Sequence, residues 1–316
     1  MTRWRIIMAA VAAATAFYLV MIVLSNIDDF IAASREFSWI YIVPVIASVL
    51  ANYVIRSERW HLYLRDVGLG LPRRRSYHIF LSGLSMSVTP AKIGEALKGV
   101  LLKMDRGSPI QRGVGIVVVE RISDVLGMCV LIAIGAVVLP YGMVSFSLVV
   151  IGLFTLIMVI SSESLSARAV RWLKGTQRLK RLGEMAEEPL RDSRRLLTGE
   201  SMVRGSVLSV AAWGCECLAF FLILTGSSAD IGILESIFIY AFSSVIGAVS
   251  MLPGGMGTAE ATMMGLLLLQ GASTSAASFA VILTRVCTLW FAVGVGVASL
   301  GFFRRREQEA SSRVVA

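Results

Sequence analysis

The sequence predicts an all-α, polytopic membrane protein with about six spanning helices plus two broken re-entrant helical hairpins, arranged as an inverted repeat. Three observations lead there. Of 316 residues, 56% are hydrophobic and only 16% charged, outside the range of soluble domains. The apolar runs approach about 20 residues instead of alternating over about ten, which selects helices over a barrel. Two further apolar stretches are interrupted by proline and glycine at matching places.

The full-length spans are expected at Ile6–Leu24, Phe37–Ile55, Val114–Leu139, Val144–Ile160, Val207–Thr225 and Ala277–Phe303. The first follows Arg3 and Arg5, yet its length favours a signal-anchor helix over a cleaved leader. The interrupted stretches are Tyr77–Leu102, broken at Thr89 and Pro90, and Ile233–Gln270, broken at Pro253, Gly254, Gly255 and Gly257. Arms of about ten residues in the first reach only about 15 Å, half of a hydrocarbon core, so this hairpin is expected to enter and return. The whole chain reads as one transmembrane unit. Residues 1–139 form a first half, 140–204 a linking helix and basic loop, 205–303 a second half, and 304–316 a basic tail.

Charge supports this layout. With both termini cytoplasmic, 26 of the 30 Lys and Arg fall in cytoplasmic segments, as expected for a multi-pass protein of the cell membrane. The net charge of +9 is then explained by topology and contact with an anionic leaflet, without a nucleic-acid partner. The loop Ser161–Arg204 alternates apolar and basic residues near helical spacing, which fits an interfacial helix or a soluble linker helix. Cys129, Cys215, Cys217 and Cys287 lie in apolar runs without metal-ligand spacing, and His61 and His78 stand apart from them. No metal or cofactor is expected.

The two interruptions share a motif. Pro90 through Gly94 to Glu95 and Pro253 through Gly257 to Glu260 both place glycine four residues after proline, then glutamate. An arginine follows each on the next long helix: Arg121 is 31 residues after Pro90, and Arg285 is 32 after Pro253. Broken helices in corresponding positions of two halves mark a midplane binding site that alternates between the two sides. Proline removes a donor and glycine lets the chain turn, so such backbone needs protein or a water-filled cavity around it. The half-helix after each break would point its N–H groups inward, toward an anion.

Lys92, Glu95, Glu120, Arg121, Asp124, Glu216, Glu260 and Arg285 all sit in apolar stretches, where each costs about 2.5 to 3.5 kcal/mol to insert. Lys92, Arg121, Arg285, Gly94, Pro253, Gly254, Gly255 and Gly257 are the candidate substrate-binding positions. Glu95, Glu120, Asp124, Glu216 and Glu260 are candidates for pairing those cations or carrying protons. Glu120 and Asp124 share a helical face, so one is expected to pair with Arg285 or Lys92 while Arg121 faces a cavity. Internal ion pairs that only fix packing are the competing reading. Lys98 and Lys103 are expected to snorkel to headgroups. The near-fingerprint Gly255-Met256-Gly257-Thr258-Ala259-Glu260 lacks a preceding strand, and the nearby Ser and Thr lack a histidine partner.

Pro90 through Glu95 and Lys98, then Glu120, Arg121 and Asp124, then Leu252 through Gly257 with Glu260, then Arg285, resemble the flippase-like transmembrane domain of lysylphosphatidylglycerol synthases. The resemblance covers nearly the whole chain and implies a stand-alone member lacking the aminoacyl-transfer domain. It implies a flippase or scramblase for an anionic phospholipid or polyprenyl-phosphate-linked sugar, hence a transporter rather than an enzyme. The alternatives are a membrane-embedded enzyme acting on lipid phosphate, and a non-transporting partner of a cytoplasmic synthase or glycosyltransferase.

Overall fold

The computed structural model describes residues 27–89, 94–138, 199–227 and 229–302, with a few positions between 147 and 197. The expected span Ile6–Leu24, all but two residues of Val144–Ile160, most of the basic loop and the tail 304–316 lie outside the described residues. Within them every regular element is helical.

A short helix, α1 (Ile27–Glu36), precedes a 3-10 turn (Trp39–Tyr41) that runs straight into α2 (Ile42–Asp66). Pro44 falls in the first turn of α2, where its missing N–H has no intrahelical partner to lose. The helix stops eleven residues beyond the expected end of its span. Nothing between Ile55 and Asp66 breaks the helix, and Gly68, at φ +76°, closes it with the Leu69 N–H on the Leu64 carbonyl at 2.8 Å. The hairpin follows as α3 (Arg73–Leu84) and α4 (Leu97–Arg106), then the long helix α5 (Ile110–Ala136).

The second half repeats this order. The long α6 (Gly199–Gly226) leads to α7 (Ile233–Val249), a broken segment with a 3-10 turn (Pro253–Gly255), α8 (Thr258–Leu269), and α9 (Thr274–Arg285). The helix continues past Arg285 through a π turn (Val286–Trp290) to Phe302. Three continuous helices, Trp39–Asp66, Gly199–Gly226 and Thr274–Phe302, have the length and apolarity to cross a bilayer. At 12 and 10 residues, about 18 and 15 Å, α3 and α4 are too short to span, as the sequence suggests.

Polarity is distributed as a bilayer demands. Val43, Leu50, Val54, Val207, Val297 and Phe302 face outward, while arginines and carboxylates are inside. The halves interlock through α2 on α6 and α5 on both α6 and α7. Asn52 Nδ2 donates to the Ala212 carbonyl across the first crossing at 2.7 Å. On the other side the helix that continues from the π turn to Phe302 lies directly on the end of α3: a methyl group at Gly296 would sit 2.1 Å from the Ser85 nitrogen, and Ser82 Oγ donates to Ser299 Oγ at 3.2 Å.

Gly296→Ala therefore forces two backbones apart, and its expected cost is about 1 to 3 kcal/mol. Gly294→Ala, with open space around it, gains helix propensity. Thermal unfolding in detergent checks this: the Gly296 variant melts below the parent, the Gly294 variant at or above it.

Candidate functional site

In both halves the glutamate of the break holds the arginine of the next long helix. Glu95 Oε2 accepts from Arg121 Nη2 at 2.9 Å, and Glu260 Oε1 pairs with Arg285 Nε at 2.8 Å. The repeat seen in the sequence is thus a repeated ion pair. It joins each hairpin to a neighbouring helix.

The breaks satisfy their own backbone. Between Leu84 and Thr89 the chain winds through i→i+3 turns, and Thr89 Oγ1 then accepts the Gly94 N–H at 2.8 Å. In the second break Gly254, Gly255 and Gly257 adopt φ of +61°, +68° and +87°, which side chains resist. Ser250 Oγ accepts from the Leu252 N–H and from Thr258 Oγ1. The Gly257 N–H, at the start of α8, donates to Glu260 Oε2 at 2.8 Å. The expectation that this helix end awaits an external anion is therefore corrected: Glu260 already supplies the negative charge. The two breaks touch, with Val88 of the first packed on Met256 of the second and on Leu289 of the π turn.

The first half carries a larger network. Asp124 is its hub, taking Arg59 at 2.8 Å, Arg121 at 3.2 Å and Arg56 at 3.8 Å, with Trp213 Nε1 donating at 3.0 Å and Ser209 Oγ at 3.1 Å. Lys98 Nζ bridges Glu120 and Glu95, and Arg59 reaches Glu120 at 4.0 Å. The equivalent second-half positions, counted from the arginine, are Thr284 and Thr288, whose hydroxyls bond carbonyls one turn back. The charge is concentrated on one side.

Three sequence expectations change. Lys98 does not snorkel: it is 1% exposed, with Trp60 and Phe80 each 4.9 Å from the ammonium and Gly83 leaving room for its stem. Among the described residues Glu120 and Asp124 do not pair with Arg285, which Glu260 holds; the other expected partner, Lys92, lies outside the described residues. Arg56 and Arg59, assigned to a cytoplasmic loop, are buried; with Lys98, three of the 26 loop cations belong to the core. The basic bias survives that subtraction.

Between the breaks lies a cavity of 380 Å³. Arg121 faces it as expected, joined by Arg56 and Arg285, with Asp124 and Glu216 as its carboxylates. Leu84, Val125, Met128, Val245 and Ala248 give it an apolar wall. Gly254 and Gly255 line it, whereas Pro253, Gly257 and Gly94 do not. Gly94 serves packing, since a methyl there would meet Met86 and Thr89 at 2.6 Å. Lys92 and Pro90 lie outside the described residues. Arg56 stacks 5.6 Å from both the Phe80 and Trp213 rings, and its Nε and Nη2 carry no hydrogen bond to any described residue. Glu216 accepts a hydrogen bond from Tyr240 Oη. The Tyr53 hydroxyl bonds the Thr288 carbonyl in the π turn at 3.1 Å, fixing the helix just beyond Arg285.

Removing one member of a buried pair strands the other charge, at a cost of about 3 to 5 kcal/mol. Lys98→Met is expected to lower the melting temperature in detergent strongly. Adding Glu120→Gln should recover part of that loss, whereas strictly additive losses would show that the two groups are not coupled.

The chain is similar to known proteins over most of its length. A UPF0104 membrane protein of Methanothermobacter thermautotrophicus is 23% identical over 296 residues, covering 86% of this chain and 88% of that protein. Another UPF0104 membrane protein, from Methanocaldococcus jannaschii, is 26% identical over 228 residues, covering 66% of this chain and 90% of its own length. The sequence model of the lysylphosphatidylglycerol synthase TM region matches residues 7–296, a stretch containing both breaks, both break arginines and every cavity residue. This chain, an all-α membrane protein, belongs to the lysylphosphatidylglycerol synthase TM region family.

Proposed function

We propose that the protein is a flippase or scramblase of the cell membrane that passes the phosphate-bearing headgroup of an anionic phospholipid or polyprenyl-phosphate-linked sugar through this cavity. The observation that carries the reading is the cavity wall: Arg56, Arg121 and Arg285 on one apolar chamber between two broken helices. Guanidinium forks suit phosphate oxygens, and in a low-dielectric chamber the attraction is far stronger than in water. The apolar wall suits the first methylenes of a lipid, whose chains would remain in the bilayer.

Charge balance also supports it. A chamber of unpaired arginines would bind an anion too tightly to release it. Here Glu95, Asp124 and Glu260 hold the guanidiniums in place and moderate their field. The two break pairs are equivalent and belong to different halves, so exchanging the headgroup between Arg121 and Arg285 would pass it from one half to the other. In this reading the basic segments face the cytoplasm, where a synthase or glycosyltransferase supplies the lipid.

Proteoliposomes with a headgroup-accessibility readout test the proposal. Arg121→Ala and Arg285→Ala are each expected to slow translocation about tenfold or more, the worth of one charged hydrogen bond to phosphate. Arg73→Ala, which removes an exposed cation paired with Glu58, should leave the rate unchanged. Parent protein moving neither lipid faster than empty vesicles would refute the reading. A covalently altered lipid would assign the site to a membrane enzyme instead.

A further inference from the structure

Glu216 differs from every other carboxylate in the charged core. Glu95, Glu120, Asp124 and Glu260 each lie within 4.0 Å of a cation, whereas Glu216 makes no ion pair among the described residues. It projects from the middle of α6, is 7% exposed, lines the cavity and accepts a hydrogen bond from Tyr240 Oη. Around it stand Tyr53 and Arg56 on α2, Tyr240 on α7 and its chain neighbours Cys215 and Cys217; Asp124 and Arg121 on α5 and Arg285 on α9 share its cavity.

The charge count gives this position a consequence. Arg56, Arg59, Lys98, Arg121 and Arg285 are five cations, facing the five carboxylates Glu95, Glu120, Asp124, Glu216 and Glu260. With Glu216 ionised, these described groups sum to zero, and an arriving monoanion takes their sum to −1. With Glu216 protonated they carry +1, and one monoanion restores neutrality. Protonating one of the other four instead would remove the negative charge from an existing ion pair: Glu95 with Arg121 and Lys98, Glu120 with Lys98, Asp124 with Arg59 and Arg56, or Glu260 with Arg285.

We infer that Glu216 is the proton-binding group of the cavity, and that each singly charged phosphodiester bound there brings one proton from water onto its carboxylate. The inference rests on the function proposed above and adds its ionic coupling: anion and proton occupy the site together. By linkage, anything that favours the protonated carboxyl favours the anion equally. Binding therefore strengthens as pH falls and weakens, toward tenfold per pH unit, once Glu216 is ionised in the empty protein.

The test is calorimetric titration of the detergent-purified full chain with dihexanoyl phosphatidylglycerol, in buffers of differing ionisation enthalpy, from about pH 5.5 to 8.5. Dimethyl phosphate, the same anion without chains, forms a second arm. The parent is expected to take up about one proton per probe bound. Uptake with the lipid alone assigns the site to a lipid headgroup, and uptake with both probes assigns it to any phosphodiester; either supports the coupling. Glu216→Gln, permanently neutral, is expected to bind without proton uptake and more tightly than the parent at the highest pH. Binding by the parent with heats independent of buffer overturns the coupling and leaves the anion site standing. Proton uptake persisting in Glu216→Gln also overturns it. Failure of both probes to bind parent and Glu216→Gln overturns the coupling together with the anion site.

Discussion

The structure depends on one repeated constraint, a glutamate at a helix break that must find an arginine inside the membrane. A lone carboxylate or guanidinium at that depth is costly, so each pair ties its broken hairpin to the long helix that follows. Glu95 with Arg121 and Glu260 with Arg285 therefore fix where the breaks lie. Because the breaks meet at Val88 and Met256, both pairs end on the same chamber.

From that constraint the asymmetry of the two halves follows. The second half is self-sufficient: Glu260 caps the start of its own half-helix and holds Arg285 with its other oxygen. The first half adds Lys98, Glu120, Asp124, Arg56 and Arg59, each satisfying a neighbour, with Trp213 and Ser209 of α6 closing the network from the second half. The network thus packs the halves together and leaves guanidinium faces toward the cavity. Tight packing and an arginine-lined cavity are thus two consequences of one arrangement.

The parts legible in the sequence were those written in local pattern. Apolar length announced the helices, proline and glycine announced the breaks, and offsets from proline to arginine that differ by one residue announced the paired halves. What escaped depended on where a helix ends and what its neighbours offer. Arg56 and Arg59 look like loop cations if α2 stops at Ile55. The signal was the spacing of Asn52, Arg56, Arg59 and Tyr63 along one face, with no helix breaker before Gly68. Lys98 was misplaced for the opposite reason, since one sequence cannot show that Trp60, Phe80 and two carboxylates enclose it. Glu216 is visible in the sequence as an intramembrane acid, but that no described cation pairs with it is a three-dimensional fact.

The central claim is that the chamber between the breaks is a phosphate site. A structure determined in nanodiscs of anionic phospholipid addresses it most directly. Phosphate density is expected in the cavity within hydrogen-bonding distance of Arg56, Arg121 and Arg285, with acyl density leading from it to the bilayer. A chamber holding only water or acyl chain, with those three guanidiniums turned to protein partners alone, would contradict it.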